Sequence, residues 1–517
     1  MIKSQKRTLN LIAVALACAA LAYLLEYLVL AGFRLSYPYE LEWEEGAIVD
    51  HVRRLLSGNN LYGEPSFEFT PLIYPPFYYY LSALVCQICG VSFFSLRLVS
   101  FAASVGSLAV IFRFAQRETG RALYGLLSAG FYAALFEQGG AWIDIARVDS
   151  LFVFLLLSAA HVLRFYPSTR GCCAAGALFA LAAFTKQPAL LVTAIISAAC
   201  LYANGGRGFL FFVLGFTLPF FGMTALFHYL SDGWYSYYIF DLPSQHGFFA
   251  VMLRLFWTRD LLRPLPVACL CLALYLGLSW LDWKRADANE KIKLVYYTLF
   301  LSAMLAASWT SRLHFGGASN VLLPAYAAIS LLWGTALHGL LSRAYAGSRT
   351  SVSDTTDCKV APFAYLIYAL ALFQFGWIIY HPARYLPGAS DRAAGDRFMQ
   401  VLASIEGEVY TPDHGFLPAL AGKRTYTHIA VLWDIMRADD NAIKRELEAE
   451  IEQVFSSHRF AAVIVNNPAL TFPWIIERVN KYYRNRGGLL EGTMVFGQIN
   501  YSELPQKRNP QIFLPRR

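Results

Sequence analysis

The chain of 517 residues is 57% hydrophobic and 16% aromatic with only 15% charged residues, which excludes an ordinary soluble domain and indicates a polytopic membrane protein. Its formal net charge of +8 comes from basic residues dispersed between apolar segments, so membrane topology explains it better than a nucleic-acid partner. The nine cysteines lie almost all in apolar stretches, and Cys86-x-x-Cys89 has no second pair or histidine cluster to complete a zinc site, so they read as packing residues.

MIKSQKR precedes the apolar run Leu9–Val29, which is too long for a secretory h-region and about right for a span; an uncleaved anchor with its basic end in the cytoplasm is expected. Further runs lie near Leu98–Phe114, Leu123–Gln138, Leu151–Phe165, Ala174–Phe184, Leu190–Ala203, Phe209–Tyr229, Val267–Leu281, Leu294–Trp309, Val321–Leu341 and Ala361–Tyr380, for about eleven spans. The loops then predicted to be cytoplasmic carry Arg113/Arg117/Arg121, Arg164/Arg170, Arg207, Lys284/Arg285/Lys291/Lys293 and Arg343/Arg349/Lys359. All are basic, as the positive-inside rule requires. An odd number of spans places everything after Tyr380 outside.

The expected fold is therefore an all-α polytopic membrane domain, residues 1–383, with an outer loop at 31–97, followed by a small α/β extracytoplasmic domain at 384–517. In the latter, Asp391–Ser404 and Asp440–Ser456 have helical periodicity, while Glu408–Thr411, Phe460–Val465 and Thr493–Phe496 read as strands. The expected location is the cytoplasmic (inner) membrane.

Residues that break the apolar composition fall on the predicted outer face. Glu42, Glu44 and Glu45 stand where a helix would begin, and Asp50, His51, Arg53 and Arg54 follow at helical spacing. Such carboxylates can merely complement a helix dipole, or they can serve as bases held beside the bilayer. Pro71–Gly90 starts with three prolines and is rich in Tyr, which suits a helix lying at the interface. Asp149 sits at the mouth of the fourth span, where an acid needs water, a cation or a partner. Lys186 can snorkel or clamp a phosphate; Arg97, Arg147 and Arg312 are further phosphate candidates on the same face, and Arg97 could equally be an interfacial anchor. The long aromatic segment Ser231–Pro266 could roof a cavity.

The order of these parts (basic start, first span, EEGAIVDHVRRLLSGNNLYGEP, FEF-TP-LIYPPFYYYLSAL, FFSLRLVS, IARVDSLF, FTKQPALLV) resembles the GT-C superfamily of membrane glycosyltransferases. The likeness is nearest to the branch of protein O-mannosyltransferases and lipid A aminoarabinose transferases, and it runs from about Lys3 to Ala203. The resemblance implies transfer of a sugar from a polyprenyl-phosphate donor to a glycan, lipid or protein acceptor of the cell envelope, at the outer face, with inversion. It places the family's acidic pair on Glu44–Glu45, its second outer-loop acid on Asp149 and its TK motif on Thr185–Lys186. Glu44 stands where Asp is usual, so the base is open among Glu42, Glu44 and Glu45, with Glu44 preferred. The Lys that follows a Phe-Glu pair in the lipid A branch is absent after Phe67–Glu68. On this reading Asp149 orients the acceptor or the base, Lys186, Arg97, Arg147 and Arg312 meet the donor phosphate, and Glu42, Glu68, His51 and His314 bind acceptor or sugar. No metal-ligand set is evident, although Glu44 and Asp149 could share a divalent cation. The alternative is a transporter or flippase of a lipid-linked substrate, which would want ionisable groups near the bilayer midplane.

Overall fold

Each apolar run becomes helix in the computed structural model, which describes residues 2–347, 362–466, 468, 471–490, 494–497, 499 and 508–516. Helix α1 spans Ile2–Leu35, α2 Glu45–Leu56, α3 Phe77–Cys89, α4 Phe93–Thr119, α5 Ala122–Ala134, α6 Asp149–Phe165, α7 Thr169–Ala183 and α8 Ala189–Leu230. Four more long helices, Pro266–Leu281, Ala288–Leu313, Leu323–Gly347 and Pro362–Trp377, complete the bundle. Five described helices are long and apolar enough to cross a bilayer, or up to seven if each of two bent pairs is one span. The chain is thus a multi-pass membrane protein. Several of the eleven apolar runs form helices shorter than a span, such as α5 and α7.

Local chemistry sets the breaks. Ser92 caps α4 by accepting from the Ser95 amide, and Gly120 ends it in the left-handed region at φ 70°. Two runs, Leu190–Ala203 and Phe209–Tyr229, fuse into α8 with a break at Gly205 (φ 65°, ψ −176°), a backbone state open essentially to glycine. The helix at Leu323–Gly347 lies at the centre, with 94% of its span window buried. Helix α3 has only 13 residues, about 20 Å of rise, and exposes Tyr80, Leu84 and Ile88 along one face, as the interfacial reading anticipates.

Three of the basic loops meet at one end, where Arg164 (2.7 Å) and Lys293 (2.9 Å) both pair with Glu118. Arg349 and Lys359 lie outside the described residues. At the other end, the loop before α2 joins the C-terminal region, whose four-stranded sheet has the order β1-β2-β4-β3: β1 Val409–Tyr410, β2 Ala462–Val465, β3 Tyr483–Gly488 and β4 Gln511–Pro515. β1 and β2 are parallel, and β4 is antiparallel to both β2 and β3. The expected helices appear at Ala389–Ser404 and Ala442–Ser456. Of the expected strand Thr493–Phe496, Thr493 lies outside the described residues and Phe496 makes only an isolated bridge to Arg508. The YRNRGG stretch of β3 is too polar and glycine-rich to read as a strand, so its place in the sheet comes from pairing with β4.

The loop and the sheet region share a core. Phe67 sits among the rings of Tyr410, Tyr426, Phe455 and Phe460, and the Phe67 amide donates to Glu450 at 3.0 Å. Glu40 meets His414 at 2.5 Å in a fully buried pair. Gly46 packs so closely on Gly415 and Phe416 that a Cβ there would stand 2.8 Å from the Phe416 nitrogen.

Candidate active site

The glutamates just before and at the start of α2 have different fates. Glu45 is fully buried: its Oε1 accepts from Arg97 Nε (2.8 Å) and the Ala146 amide (2.7 Å), and its Oε2 from Arg97 Nη2 (2.6 Å) and the Leu41 amide (2.6 Å). Burial alone would raise its pKa, but Arg97 and these donors hold it below the usual carboxylate range. Arg97 spends its remaining donors on the carbonyls of Arg34, Tyr37 and Tyr39. The assignments of Glu45 to catalysis and Arg97 to phosphate are therefore corrected, because each saturates the other and neither lines the cavity that holds Glu42 and Glu44.

Glu42 and Glu44 instead line a cavity of about 710 Å³ that also takes in Tyr74, Trp142, Arg147, Lys186, Asn320 and Asp434. Arg147 Nη1 donates to both Glu42 (3.2 Å) and Glu44, while Nη2 donates to the Tyr74 hydroxyl at 3.1 Å. Its guanidinium lies 4.8 Å from the Trp142 ring. Burial drives Glu42 well above the usual range, with Arg147 opposing and Glu44 adding. Glu44 is the more open of the two, its side chain 16% exposed. Only its Oε2 is engaged by Arg147, which leaves Oε1 for a ligand's proton.

Lys186 arrives from the turn between α7 and α8, where Thr185 Oγ1 donates to the Leu181 carbonyl at 2.8 Å and Pro188 opens the next helix. The same turn is tied to the start of α3 by the Phe77 amide on the Phe184 carbonyl (3.0 Å). Lys186 does not snorkel: it is 7% exposed, and its Nζ donates to Asp149 Oδ1 at 2.6 Å, where Asn320 Nδ2 joins at 3.0 Å. Asp149, 1% exposed, stands behind Lys186 and does not line the cavity. It positions the lysine, and this role replaces the expectation that it orients the acceptor or the base.

The other assigned residues divide. His314 lines the cavity and approaches His246, Nε2 to Nδ1, at 3.2 Å. Arg312 does not, since its Nε is committed to Asp260 (2.9 Å) and Nη1 to the Gly317 carbonyl. His51 is a core residue: Nδ1 donates to the Ala47 carbonyl (2.6 Å), Nε2 accepts from the Leu72 amide (2.8 Å), and burial pushes its pKa down to about 4. Glu68 pairs with Arg424 (2.8 Å) and Arg459 (2.6 Å) and lines a separate crevice. Among the described residues no group of three His, Cys, Asp or Glu could hold a metal ion. Glu44 and Asp149 do not fit a shared cation either, because Arg147 and Lys186 already neutralise them.

The aromatic segment at 231–266 roofs the cavity with Ile239, Phe240, Pro243 and Ser244. Sequence reasoning missed Tyr74, Trp142, Asn320, Trp433, Asp434 and Arg437. For Asp434 a signal existed, a lone acid in the apolar helix IAVLWDIM, where a buried charge needs a reason.

The family model for dolichyl-phosphate-mannose-protein mannosyltransferases matches residues 74–225, which include Arg147, Asp149 and Lys186. No curated protein matches the chain. Solved structures that superpose on it include ArnT from Cupriavidus metallidurans bound to undecaprenyl phosphate, with TM-score 0.54 and 12% identity over 95% of this chain and 97% of that one. The same protein in its apo state gives TM-score 0.53 with the same identity and coverage. The archaeal oligosaccharyltransferase AglB from Archaeoglobus fulgidus, in complex with an inhibitory peptide and a dolichol-phosphate, gives 0.50 at 12% identity over 99% and 76%. At such identity these likenesses establish the fold.

Proposed function

From its GT-C-like fold and the match of residues 74–225 to the mannosyltransferase family model, we propose that this chain is a GT-C membrane glycosyltransferase that transfers a sugar from a polyprenyl-phosphate donor to an acceptor hydroxyl at the outer face of the membrane. The observation that carries the reading is one cavity holding an accessible carboxylate, Glu44, beside two buried cations, Arg147 and Lys186. The acceptor oxygen attacks the anomeric carbon while its proton passes to Glu44 Oε1. The bond from that carbon to the phosphate oxygen breaks on the far side, with inversion, and its electron pair leaves with the phosphate. Lys186 and Arg147 meet that charge in a site of restricted water, where fixed cations act most strongly. Neither cation needs to move far, since Asp149 holds one and the two glutamates hold the other.

A donor carried on lipid suits this construction, as it can diffuse laterally to a cavity whose walls include Ile73, Ile239, Phe240 and Val321. The test is genetic and chemical. Mass spectrometry of envelope glycans should show a sugar lost in a deletion strain, restored by the wild-type gene and not by Glu44→Gln. Identical glycans in deletion and parent would refute the proposal.

A further inference from the structure

Facing the same cavity, the C-terminal region presents Trp433, Asp434, Arg437 and Phe472. The Trp433 and Phe472 rings stack with centroids 4.2 Å apart and planes 4° apart. Phe315 flanks Trp433 at 6.4 Å. Helix Ile429–Met436 carries Asp434 as its sole acid and buries it to 8% exposure. Oδ1 accepts from Arg437 Nη2 at 2.5 Å, and among the described residues Oδ2 takes no hydrogen bond. Arg437 is itself fixed by the Phe315 carbonyl. Its carboxyl borders a cavity large enough for a ligand, which leaves Oδ2 open to accept from one. Burial pushes Asp434 up to about 7, Arg437 opposing and Glu44 adding to the rise. The field of Glu44 thus reaches this wall.

We propose that Trp433, Phe472 and Asp434 form a subsite for a pyranose ring, the stacked pair receiving its apolar C–H face and Asp434 Oδ2 accepting from its hydroxyls. This deepens the sugar-transfer reading and rests on it. A ring with one apolar face and a polar rim matches an aromatic wall edged by a carboxyl group. A peptide would instead seek a strand edge or a groove for its backbone, and the wall here presents side chains from helix Ile429–Met436 and from Phe472 just before helix Pro473–Tyr482. The ring can belong to the donor or to the acceptor, and the experiment separates them.

The full-length protein in lipid nanodiscs is probed by saturation-transfer NMR with methyl glycosides of glucose, mannose, galactose and N-acetylglucosamine, and with a Ser/Thr-containing hexapeptide. Affinity for a short-chain polyprenyl phosphate is measured in parallel. At least one glycoside should bind the wild type, and its affinity should fall about tenfold or more in both Asp434→Asn and Trp433→Leu, with polyprenyl-phosphate affinity unchanged. The two variants perturb the wall differently, so poor folding of one leaves the other to decide. Displacement of the glycoside by the same sugar on polyprenyl phosphate assigns the ring to the donor; simultaneous binding assigns it to the acceptor. Unchanged glycoside affinity in both variants, or binding of the peptide and of no glycoside, overturns the subsite. A wild-type protein that binds no polyprenyl phosphate overturns instead the reading on which the subsite rests.

Discussion

Replacing Lys186 by Met removes a charge whose partner stays behind, so its consequences must be separated. Asp149 would keep only Asn320 among its hydrogen-bond donors at 1% exposure. Breaking one side of such a buried pair costs about 3–5 kcal/mol, and Arg147, whose charge also acts on Asp149, places the expectation at the lower end. Loss of binding in Lys186→Met alone could therefore report a disturbed fold. The double variant Lys186→Met/Asp149→Asn removes both charges and should recover most of that stability. What it cannot recover is a contact to phosphate, worth about 1.5–3 kcal/mol for a hydrogen bond to a charged group, or roughly 10- to 150-fold in Kd. Polyprenyl-phosphate affinity in nanodiscs, with thermal unfolding as control, reads both. A double variant that is stable and binds like the wild type would refute the assignment and leave Arg147 to carry the phosphate.

Glu44→Gln should keep donor affinity while transfer falls by about 10²–10⁴-fold; wild-type turnover would move the role to Glu42. The buried Glu40–His414 pair makes stability depend on pH, because the Glu40 carboxylate raises His414 above its usual value against the opposing effect of burial. That contribution is fully present below the unfolded histidine value of about 6.5 and is lost as pH rises through the raised folded value, so the melting temperature should fall on the alkaline side. Glu40→Gln should flatten that slope, and an equally steep slope in the variant would contradict the account. Gly46→Ala would set a Cβ 2.2 Å from Glu40 Oε1 and 2.8 Å from the Phe416 nitrogen, so it should destabilise by about 1–3 kcal/mol, visible as a lower melting temperature and faster proteolysis near residue 415. Unchanged proteolysis would mean the loop and the sheet region are not tightly coupled there.

The helices were legible because apolar runs have little choice in a bilayer, and all eleven became helix. Sidedness grouped Glu44, Arg147, Lys186 and His314 in one region for the same reason. The sequence could not distinguish a residue that faces a ligand from one that holds the scaffold. Glu44 and Glu45 are adjacent with the same charge, yet one faces the cavity while the other is sealed by Arg97, a difference set by an arginine 52 residues away. Arg312 was misassigned likewise, since its partner Asp260 lies in another segment. Asp434 went unnoticed because it lies in the C-terminal region, remote in sequence from the outer loop, although that region supplies one wall of the cavity.

Phe67 gives that shared wall a schedule. Its ring fills the heart of a region built from residues 410–460, and its amide bonds a glutamate 383 positions later. At about 5–20 residues per second of synthesis, the loop waits roughly 20–80 s before its partner exists. The C-terminal region in turn closes around a ring supplied by the loop after α2. Expressed alone it would have to close around an empty Phe-sized hole, a deficit on the order of 3–5 kcal/mol, comparable to the whole stability of a small domain. The early loop therefore acts as a template for the last region to fold, and a chain truncated before residue 429 carries none of Trp433, Asp434, Arg437 and Phe472, the far wall of the cavity.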